Sequence, residues 1–156
     1  MKRTVLALAG VAAAGIAVAA PGIGQSQTSG ERTITLNART TSVKLADPRN
    51  RPAAGDVLVA VNTLRNTSGS RIGTGHLSCV ITQPARTFGR SAYQCTGTNR
   101  LRDGSISFTL VARLGVDRVV TAAVTGGTGA YDGASGQAVT TTRGENTSTQ
   151  VITLRQ

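Results

Sequence analysis

A glycine-rich stretch near the C-terminus constrains the fold of this chain more than any other feature. Residues 126–136 read Gly-Gly-Thr-Gly-Ala-Tyr-Asp-Gly-Ala-Ser-Gly, with five glycines in eleven positions. This density excludes a stable helix and is unfavourable in an ordinary strand, because glycine loses the most backbone entropy and adds no side-chain packing. Strand-like runs precede and follow it at residues 119–125 and 137–142. The stretch therefore predicts a tight bend between two strands at a sheet corner.

The remainder of the chain after about residue 31 has the pattern of an all-β domain. Short runs rich in Val, Ile, Thr and Ser alternate with Gly, Asn, Asp and Pro, and no segment shows a sustained helical apolar stripe. Short connections such as Asp103-Gly104 favour an antiparallel meander. Eight strands are predicted, at residues 33–43, 56–64, 71–82, 91–99, 105–114, 118–125, 137–142 and 149–154.

An eight-stranded meander can close on itself, which removes the sheet edges and leaves an interior that holds side chains or one small ligand. The fold class predicted is an all-β, eight-stranded antiparallel up-and-down β-barrel, with a two-sheet sandwich as the alternative. Alternation groups Ile106, Phe108 and Leu110 on one face of a strand, and Leu77 and Cys79 on one face of another. The pattern does not say which face is inside.

The N-terminus has the features of a secretory signal peptide. Lys2 and Arg3 precede an uncharged run at residues 4–20, and Ala17-Val18-Ala19 supplies a small-residue cleavage pattern. A retained membrane anchor is the alternative, although the apolar run is short for a membrane span. We therefore predict a signal peptide at 1–19, a flexible lead-in at 20–31, and one barrel domain at 32–156. The mature protein is expected to be secreted and extracellular, with no membrane span after cleavage.

The two cysteines predict a disulfide. Cys79 and Cys95 are the only cysteines of the chain, and exported proteins fold where disulfides persist. They fall on predicted neighbouring strands joined by a hairpin centred near Thr87, so they can meet across it. Closing such a loop contributes about 3 kcal/mol in the chain-entropy model.

The charge is strongly positive but scattered. The formal net charge is +10, and removal of Lys2 and Arg3 with the signal peptide lowers it by two. The arginines form no run, and the chain has no Trp, two Tyr and two Phe, so platforms for base stacking are scarce. We expect a solvated basic surface and no specific nucleic-acid recognition.

The sequence assigns no catalytic residue, cofactor or metal. All seven acids fall at predicted strand ends or turns, whereas acid/base catalysis inside a barrel favours a desolvated carboxylate in mid-strand. His76 is the only histidine, and paired cysteines cannot add to it as metal ligands. A phosphate loop is also disfavoured, because the glycine stretch is followed by a predicted strand and not by a helix.

Several motifs in order resemble the allene oxide cyclase and dirigent superfamily. The residues Tyr131-Asp132-Gly133-Ala134-Ser135-Gly136-Gln137 are similar to the cyclase pattern Phe-Glu-Gly-Ala-Tyr-Gly-Gln. Upstream, Gly55-Asp56, Asn62-Thr63-Leu64 and Cys79-Val80-Ile81 resemble its Gly-Asp, Asn-x-Leu and Cys-Val-Ile segments. The resemblance implies an eight-stranded barrel that commonly assembles into trimers or dimers.

The resemblance also implies site residues. Asn62 and Asn37 are similar in position to asparagines that hold a water in the cyclase lumen, and Tyr131 and Asp132 are candidates at the barrel rim. Thr35 stands where the cyclases have a glutamate.

Two further positions depart from the dirigent pattern. Ala130 and Ser135 stand where dirigent proteins have an acid and an arginine. The resemblance therefore implies the barrel more strongly than either activity.

Two functions from different classes follow. The first is a secreted barrel that binds a small apolar or phenolic molecule in its lumen and steers its cyclisation or coupling, with Arg and Thr side chains at the mouth recruiting an anionic or phenolic guest. If it is an enzyme, it is a cofactor-independent cyclase or a stereo-directing, dirigent-type protein. The second is a non-enzymatic cationic protein that binds envelope polyanions through its Arg-rich surface.

Overall fold

The computed structural model of the protein describes residues 30–46 and 51–155. The predicted signal peptide, most of the lead-in and Asp47 lie outside these residues. The described chain contains eight strands and one short 3-10 helix: β1 (Glu31–Ala46), β2 (Val57–Arg65), β3 (Arg71–Gln83), the 3-10 helix (Phe88–Arg90), β4 (Ala92–Leu101), β5 (Gly104–Ala112), β6 (Val119–Gly129), β7 (Ser135–Gly144) and β8 (Thr147–Arg155).

The strands form a closed barrel in chain order. Each strand pairs antiparallel with the next, and β1 also pairs with β8, from Glu31 opposite Arg155 to Arg39 opposite Thr147. The predicted up-and-down barrel is confirmed, and the sandwich alternative is wrong, because β1 and β8 close the sheet. The described residues contain no helix that is both long and apolar enough to cross a membrane.

Strict alternation along the strands fills the lumen. In β5, Ile106, Phe108 and Ala112 are buried, whereas Val111, which precedes Ala112 on the opposite face, is 64% exposed. In β8, Ile152 and Leu154 are fully buried and Val151 faces outward. Because a one-residue shift would turn every apolar side chain to solvent, this pattern fixes the register of the barrel.

The barrel has two different ends. The turns at residues 66–70, 102–103 and 130–134 lie at one end, together with the start of β1 and the end of β8, and we call it the closed end. The loops at residues 84–91, 113–118 and 145–146 lie at the other end, which we call the mouth. The amide of Thr40 in β1 donates to the carbonyl of Asn146 at this mouth.

The main apolar core fills the closed end. It is built from large side chains on β1, β2, β5 and β8, with small residues on β6 and β7, and includes Leu36, Leu64, Ile106, Phe108, Ala122, Val124, Tyr131, Ala134, Ala138, Ile152 and Leu154. Fully burying one of the larger side chains contributes about 1.5–3 kcal/mol. This end of the barrel is therefore a packed core.

The glycine stretch is only partly a bend. Strand β6 continues to Gly129, the turn is confined to residues 130–134, and β7 begins at Ser135. The prediction of a bend over the whole of 126–136 is thus wrong at both ends. Gly129 has φ of 63°, and a Cβ there would collide with the carbonyl oxygen of Asp103. Glycine is required where β6 ends because the neighbouring turn approaches its backbone.

A second, smaller core contains the disulfide. Cys79 of β3 and Cys95 of β4 are directly opposite in register and joined, with both side chains fully buried. Ile81 and Tyr93 complete this cluster, which lies in the mouth half of the lumen on the side of β3 and β4. The predicted disulfide is confirmed, and it faces into the barrel.

Candidate functional site

A cavity of about 230 Å³ occupies the mouth half of the lumen. All eight strands and the loops at residues 113–118 and 145–146 contribute to its wall. The volume is below the 300–1,000 Å³ typical of sites for drug-sized ligands. The lumen is therefore neither filled nor widely open, and its free space suits a small organic molecule.

The apolar part of the cavity wall is shared with the two cores. Phe108, Leu110 and Val120 line it from β5 and β6, and Leu77 lines it from β3. Leu77 and Leu110 also pack against the disulfide cluster. An apolar body inside the cavity would therefore lie against side chains that the two cores hold in place.

Asn62, the asparagine of the Asn-x-Leu segment, lies in the cavity wall. It pairs with Thr40 of β1, whose hydroxyl donates to Asn62 Oδ1 at 2.9 Å. This bond fixes the amide plane and leaves Nδ2, which donates no hydrogen bond within the described residues. Asn62 therefore presents a free donor to the cavity.

Gly75 opens the space beside this donor. It is directly opposite Asn62 of β2 on one side and Asn99 of β4 on the other. A Cβ on Gly75 would lie 3.5 Å from Asn62 Nδ2 and 3.0 Å from Asn99 Oδ1. The side-chain amides of Asn62 and Asn99 therefore both face the space above Gly75, where no side chain is present. A hydroxyl group or a water in that position can accept from Asn62 and donate to Asn99.

A hydrogen bond crosses the lumen below the cavity. Asn99 of β4 donates through Nδ2 to Gln150 Oε1 of β8, and Gln150 Nε2 donates to the hydroxyl of Thr140 in β7. Strands β4 and β8 lie on opposite sides of the eight-stranded ring. Asn99 and Gln150 are only 3% and 8% exposed. Their polar groups therefore form a floor between the cavity and the apolar core.

The buried polar atoms of this region are satisfied. No fully enclosed side-chain nitrogen or oxygen lacks a hydrogen-bond partner in the described part of the chain. Asn99 Oδ1 accepts no hydrogen bond from the described residues, so it reaches the open space of the cavity. Because an unpaired amide in a low-dielectric site is costly, this oxygen favours a guest that donates to it.

The structure does not place Asn37 with Asn62. Asn37 follows the inward-facing Leu36, so its side chain points outward and is exposed. Its amide contacts Thr149 and the carbonyl of Asn66 on the outer surface. The expectation that Asn37 lies in the lumen is wrong, because alternation along β1 turns it to the opposite face.

Tyr131 and Asp132 lie at the end of the barrel away from the cavity. Tyr131 is 4% exposed and belongs to the closed-end core, with the guanidinium of Arg32 at 5.2 Å from its ring centre. Asp132 is exposed in the adjoining turn. Both lie at the closed end, and neither lines the cavity. The role that fits Tyr131 in this position is to plug the closed end.

The charges around the cavity differ from those expected. Asp117 and Glu145 line its mouth, and none of the arginines or lysines that the structure describes lines it. Arginines such as Arg113 and Arg118 lie in the loops at the mouth but do not line the cavity, so the described lining does not support the expectation that arginines recruit an anionic guest into it; Arg49 lies outside the described residues. The acids of the described residues do lie at strand ends or turns, as predicted, and Asp117 Oδ2 accepts from the amide of Arg113 at 2.7 Å.

One acid is buried, which the sequence did not indicate. Asp56, just before β2, is 6% exposed and its Oδ2 accepts from the amide of Ala53 at 2.8 Å. Burial, and secondarily the charge of Asp56, raise the pKa of Tyr93 above its usual value of 10.0. The Tyr93 hydroxyl donates to the carbonyl of Phe88 at 3.0 Å. Neither residue lines the cavity: Tyr93, within the disulfide cluster, holds the loop at residues 84–91 through Phe88, and Asp56 holds the turn before β2 through Ala53.

Sequence reasoning missed Asn99, Gln150 and Gly75. Asn99 was placed on a strand but given no role, and Gln150 stands in a strand without any special motif. The sequence did contain a signal for the two amides. Asn99 lies on the same face of its strand as the apolar Cys95, and Gln150 lies on the same face as Ile152. Polar amides on a buried face require partners, and this marks them for a structural or binding role.

The family comparison agrees with the fold. Residues 32–154 match the family described as allene oxide cyclase barrel like domain. Comparison with curated proteins finds no match.

Solved structures with the same barrel differ widely in what they do. A pyocyanin demethylase is 22% identical, with 79% of this chain and 99% of the other covered and a TM-score of 0.67. A pterocarpan synthase dirigent protein is 14% identical, with 87% and 94% covered and a TM-score of 0.68. An exo-specific intermolecular Diels-Alderase is 14% identical, with 81% and 99% covered and a TM-score of 0.60. At these identities the likeness concerns the fold alone.

Proposed function

Because the chain belongs to the allene oxide cyclase barrel-like family, we propose that it binds a small, largely apolar molecule bearing a hydroxyl or phenol group in the cavity at its mouth, and orients it for cyclisation or coupling. The observation that carries this proposal is the cavity itself, with the amides of Asn62 and Asn99 meeting over Gly75 against an apolar wall. Preformed, mostly apolar cavities with a few placed polar groups are the usual form of small-molecule sites.

The chemistry proposed is confinement. Phe108, Leu110 and Val120 exclude water from the body of the guest, and the Asn62 donor fixes one oxygen atom. Holding a reactive molecule in one conformer removes entropy that would otherwise oppose ring closure or coupling. The similar proteins named above include a demethylase, a dirigent protein and a Diels-Alderase, and their common feature of acting on small organic molecules supports a small-molecule guest here.

A blocked cavity tests the proposal directly. Thr142 of β7 lines the cavity, whereas the preceding Thr141 is on the opposite face of the same strand and does not. We expect 2-naphthylmethanol to bind the purified protein with one-to-one stoichiometry in titration calorimetry. Thr142→Trp should weaken this binding at least tenfold, and Thr141→Trp should leave it within about twofold of wild type. Equal binding by both variants and wild type would place the site outside the lumen.

The polar contact has its own test. Asn62→Ala removes the free donor and should weaken 2-naphthylmethanol binding by about three- to tenfold, the range of one ordinary hydrogen bond. The same substitution should not change the affinity for 2-methylnaphthalene, which has no hydroxyl. An equal loss for both probes would show that Asn62 only shapes the cavity.

We also propose that the protein is exported, with residues 1–19 removed. The buried disulfide between Cys79 and Cys95 supports this, because such bonds persist in oxidising compartments. Native mass spectrometry of protein purified from culture medium is the test. A mass without the leader, two hydrogens below the reduced chain, is expected, together with any small guest that copurifies. Retention of the whole chain in the cells would refute export.

A second candidate function, polyanion binding, is favoured by a groove of about 440 Å³ outside the barrel. Arg90 and Arg113 line it with Pro84 and Val116, and every arginine that the structure describes is exposed. Heparin affinity should then fall steeply with salt. The double variant Arg90→Ala, Arg113→Ala should elute much earlier than the charge-matched Arg39→Ala, Arg155→Ala. Coelution of the two would mean that only the diffuse charge binds.

A further inference from the structure

The charged residues that line the cavity have the opposite sign to the net charge of the protein. The chain has 17 Lys and Arg against 7 Asp and Glu. Among the described residues that line the cavity, however, the only acids or bases charged at neutral pH are Asp117 and Glu145. They belong to the loops after β5 and after β7, so they approach the opening from different strands.

Both carboxylates have capacity for another partner. Asp117 is half-buried, and one of its oxygens accepts from the amide of Arg113, which holds the side chain in place. Within residues 30–46 and 51–155, neither Asp117 nor Glu145 forms an ion pair with a basic side chain. Arg118 lines a neighbouring depression that also includes these two acids, but it does not line the cavity.

The described residues that line the interior provide no lysine or arginine to pair with an anion. Apart from His76, whose side chain is exposed, their polar groups are uncharged amides and hydroxyls: Asn62 Nδ2 is a free donor, and Asn99 Oδ1 is an acceptor without a partner among the described residues, on a side chain that is 3% exposed. A carboxylate or phosphate inside would be desolvated without a cation, and at the mouth it would meet two like charges. A positively charged group at the mouth would instead meet two carboxylates while its apolar body lay against Leu110 and Val120.

From this arrangement we infer that the guest is a cationic amphiphile: a small apolar or aromatic molecule with an amine or other positively charged nitrogen that stays at the mouth beside Asp117 and Glu145. This inference rests on the proposed function, because it assigns the charge class of the guest in the same cavity. It also explains how a strongly basic chain can exclude the anions that its surface attracts.

Three probes of nearly equal size test the inference by titration calorimetry at neutral pH: 2-naphthylmethylamine, 2-naphthylmethanol and 2-naphthoate. The ammonium should bind about five- to tenfold more tightly than the alcohol, as expected for partly exposed ion pairs, and the carboxylate should bind most weakly. Raising the salt concentration should reduce the preference for the ammonium and leave the alcohol unchanged.

Matched variants locate the effect. The double substitution Asp117→Asn, Glu145→Gln should abolish the preference for the ammonium over the alcohol, because neutral amides replace both carboxylates. Arg118→Ala should increase that preference, since it removes a cation that lines the same depression as the two acids. As a control, Asp132→Asn at the closed end should change nothing.

The possible failures are distinguishable. If the alcohol binds in a manner sensitive to Thr142→Trp but the ammonium has no advantage, or if the carboxylate binds best, the inferred charge class is wrong and the proposed cavity site stands. If none of the three probes binds, the proposed function itself is wrong, and the inference is overturned with it.

Discussion

The closed end and the mouth half of the barrel are built from the same eight strands, yet they differ in what their inward positions carry. Near the closed end, β1, β5 and β8 contribute Leu36, Ile106 and Leu154, all fully buried in one apolar core. Nearer the mouth, the inward-facing positions of the strands include Thr, Asn, Gln and Gly, and these residues surround a cavity. The comparison shows that the same eight strands can form a packed core at one end of the barrel and a cavity at the other.

The boundary between the two regions is the cross-lumen hydrogen bond. Asn99 and Gln150 lie between the cavity and side chains such as Ile106 and Ile152. Each side-chain amide is a hydrogen-bond partner of the other, so both can be buried without a large loss of stability. We infer that the packed end supplies most of the stability, whereas the polar floor and the cavity can vary at smaller cost.

The largest expected effect is at the closed end. Leu154→Ala removes a fully buried side chain from the main core and should lower the free energy of unfolding by about 2–5 kcal/mol. Val151→Ala, three residues away on the outer face, is the matched control and should cost less than about 1 kcal/mol. Urea denaturation measures both. Similar losses in the two variants would break the distinction between core and outer face.

The disulfide tests whether the mouth half has its own stabilisation. Replacing Cys79 and Cys95 together by Ala should lower the free energy of unfolding by about 3 kcal/mol, as expected for a loop of this length. Hydrogen exchange should accelerate more at Tyr93, in the disulfide cluster, than at Ile152 in the main core. Uniform acceleration would mean that the two halves unfold as one unit.

The polar floor is expected to have a smaller and non-additive effect. Asn99→Leu or Gln150→Leu alone leaves a buried amide without its partner and should cost about 1–3 kcal/mol. The double variant should recover much of the loss, since neither amide remains. A double-mutant cycle from denaturation data gives the coupling. Additive losses would show that the two amides do not stabilise each other.

The smallest effect is the pH dependence at Tyr93. Its raised pKa means that the native protein keeps this proton to higher pH than the unfolded chain does, so the free energy of unfolding should fall as the pH rises above about 10. Below that pH the contribution is constant. Tyr93→Phe should flatten this slope between pH 9 and 11 while lowering stability slightly at all pH values through loss of the bond to Phe88. An unchanged slope would assign the alkaline sensitivity to other groups.

Much of the fold was predictable because the sheet pattern is local. All eight strands were located, since alternation and turn residues act over a few neighbours along the chain. The bend at residues 126–136 was overextended, because β6 pairs with β5 as far as Gly129 and that pairing is not visible in the local glycine content. The predicted strand from Thr33 likewise began too late, since β1 pairs with β8 from Glu31 onward.

The candidate site was predictable only in part. The motif identified Asn62 as a candidate. It did not predict that Asn62 lies opposite Thr40 on one side and Gly75 on the other. Asn37 was misplaced because a motif match does not state the face of a strand. The contact between Asn99 and Gln150 joins residues 51 positions apart on opposite strands, and no local pattern specifies such a pair.

The sequence by itself determined that this is an all-β chain, that eight strands follow one another as a meander, and that Cys79 and Cys95 can meet, because each of these depends on side chains close together along the chain. Only the tertiary structure decided that the cysteines face inward, that Tyr131 plugs one end, and that Asp117 and Glu145 guard the cavity at the other. The physical reason is closure: until β1 pairs with β8, no strand has an inside, and the side chains that meet across the lumen have no neighbours in sequence to predict them.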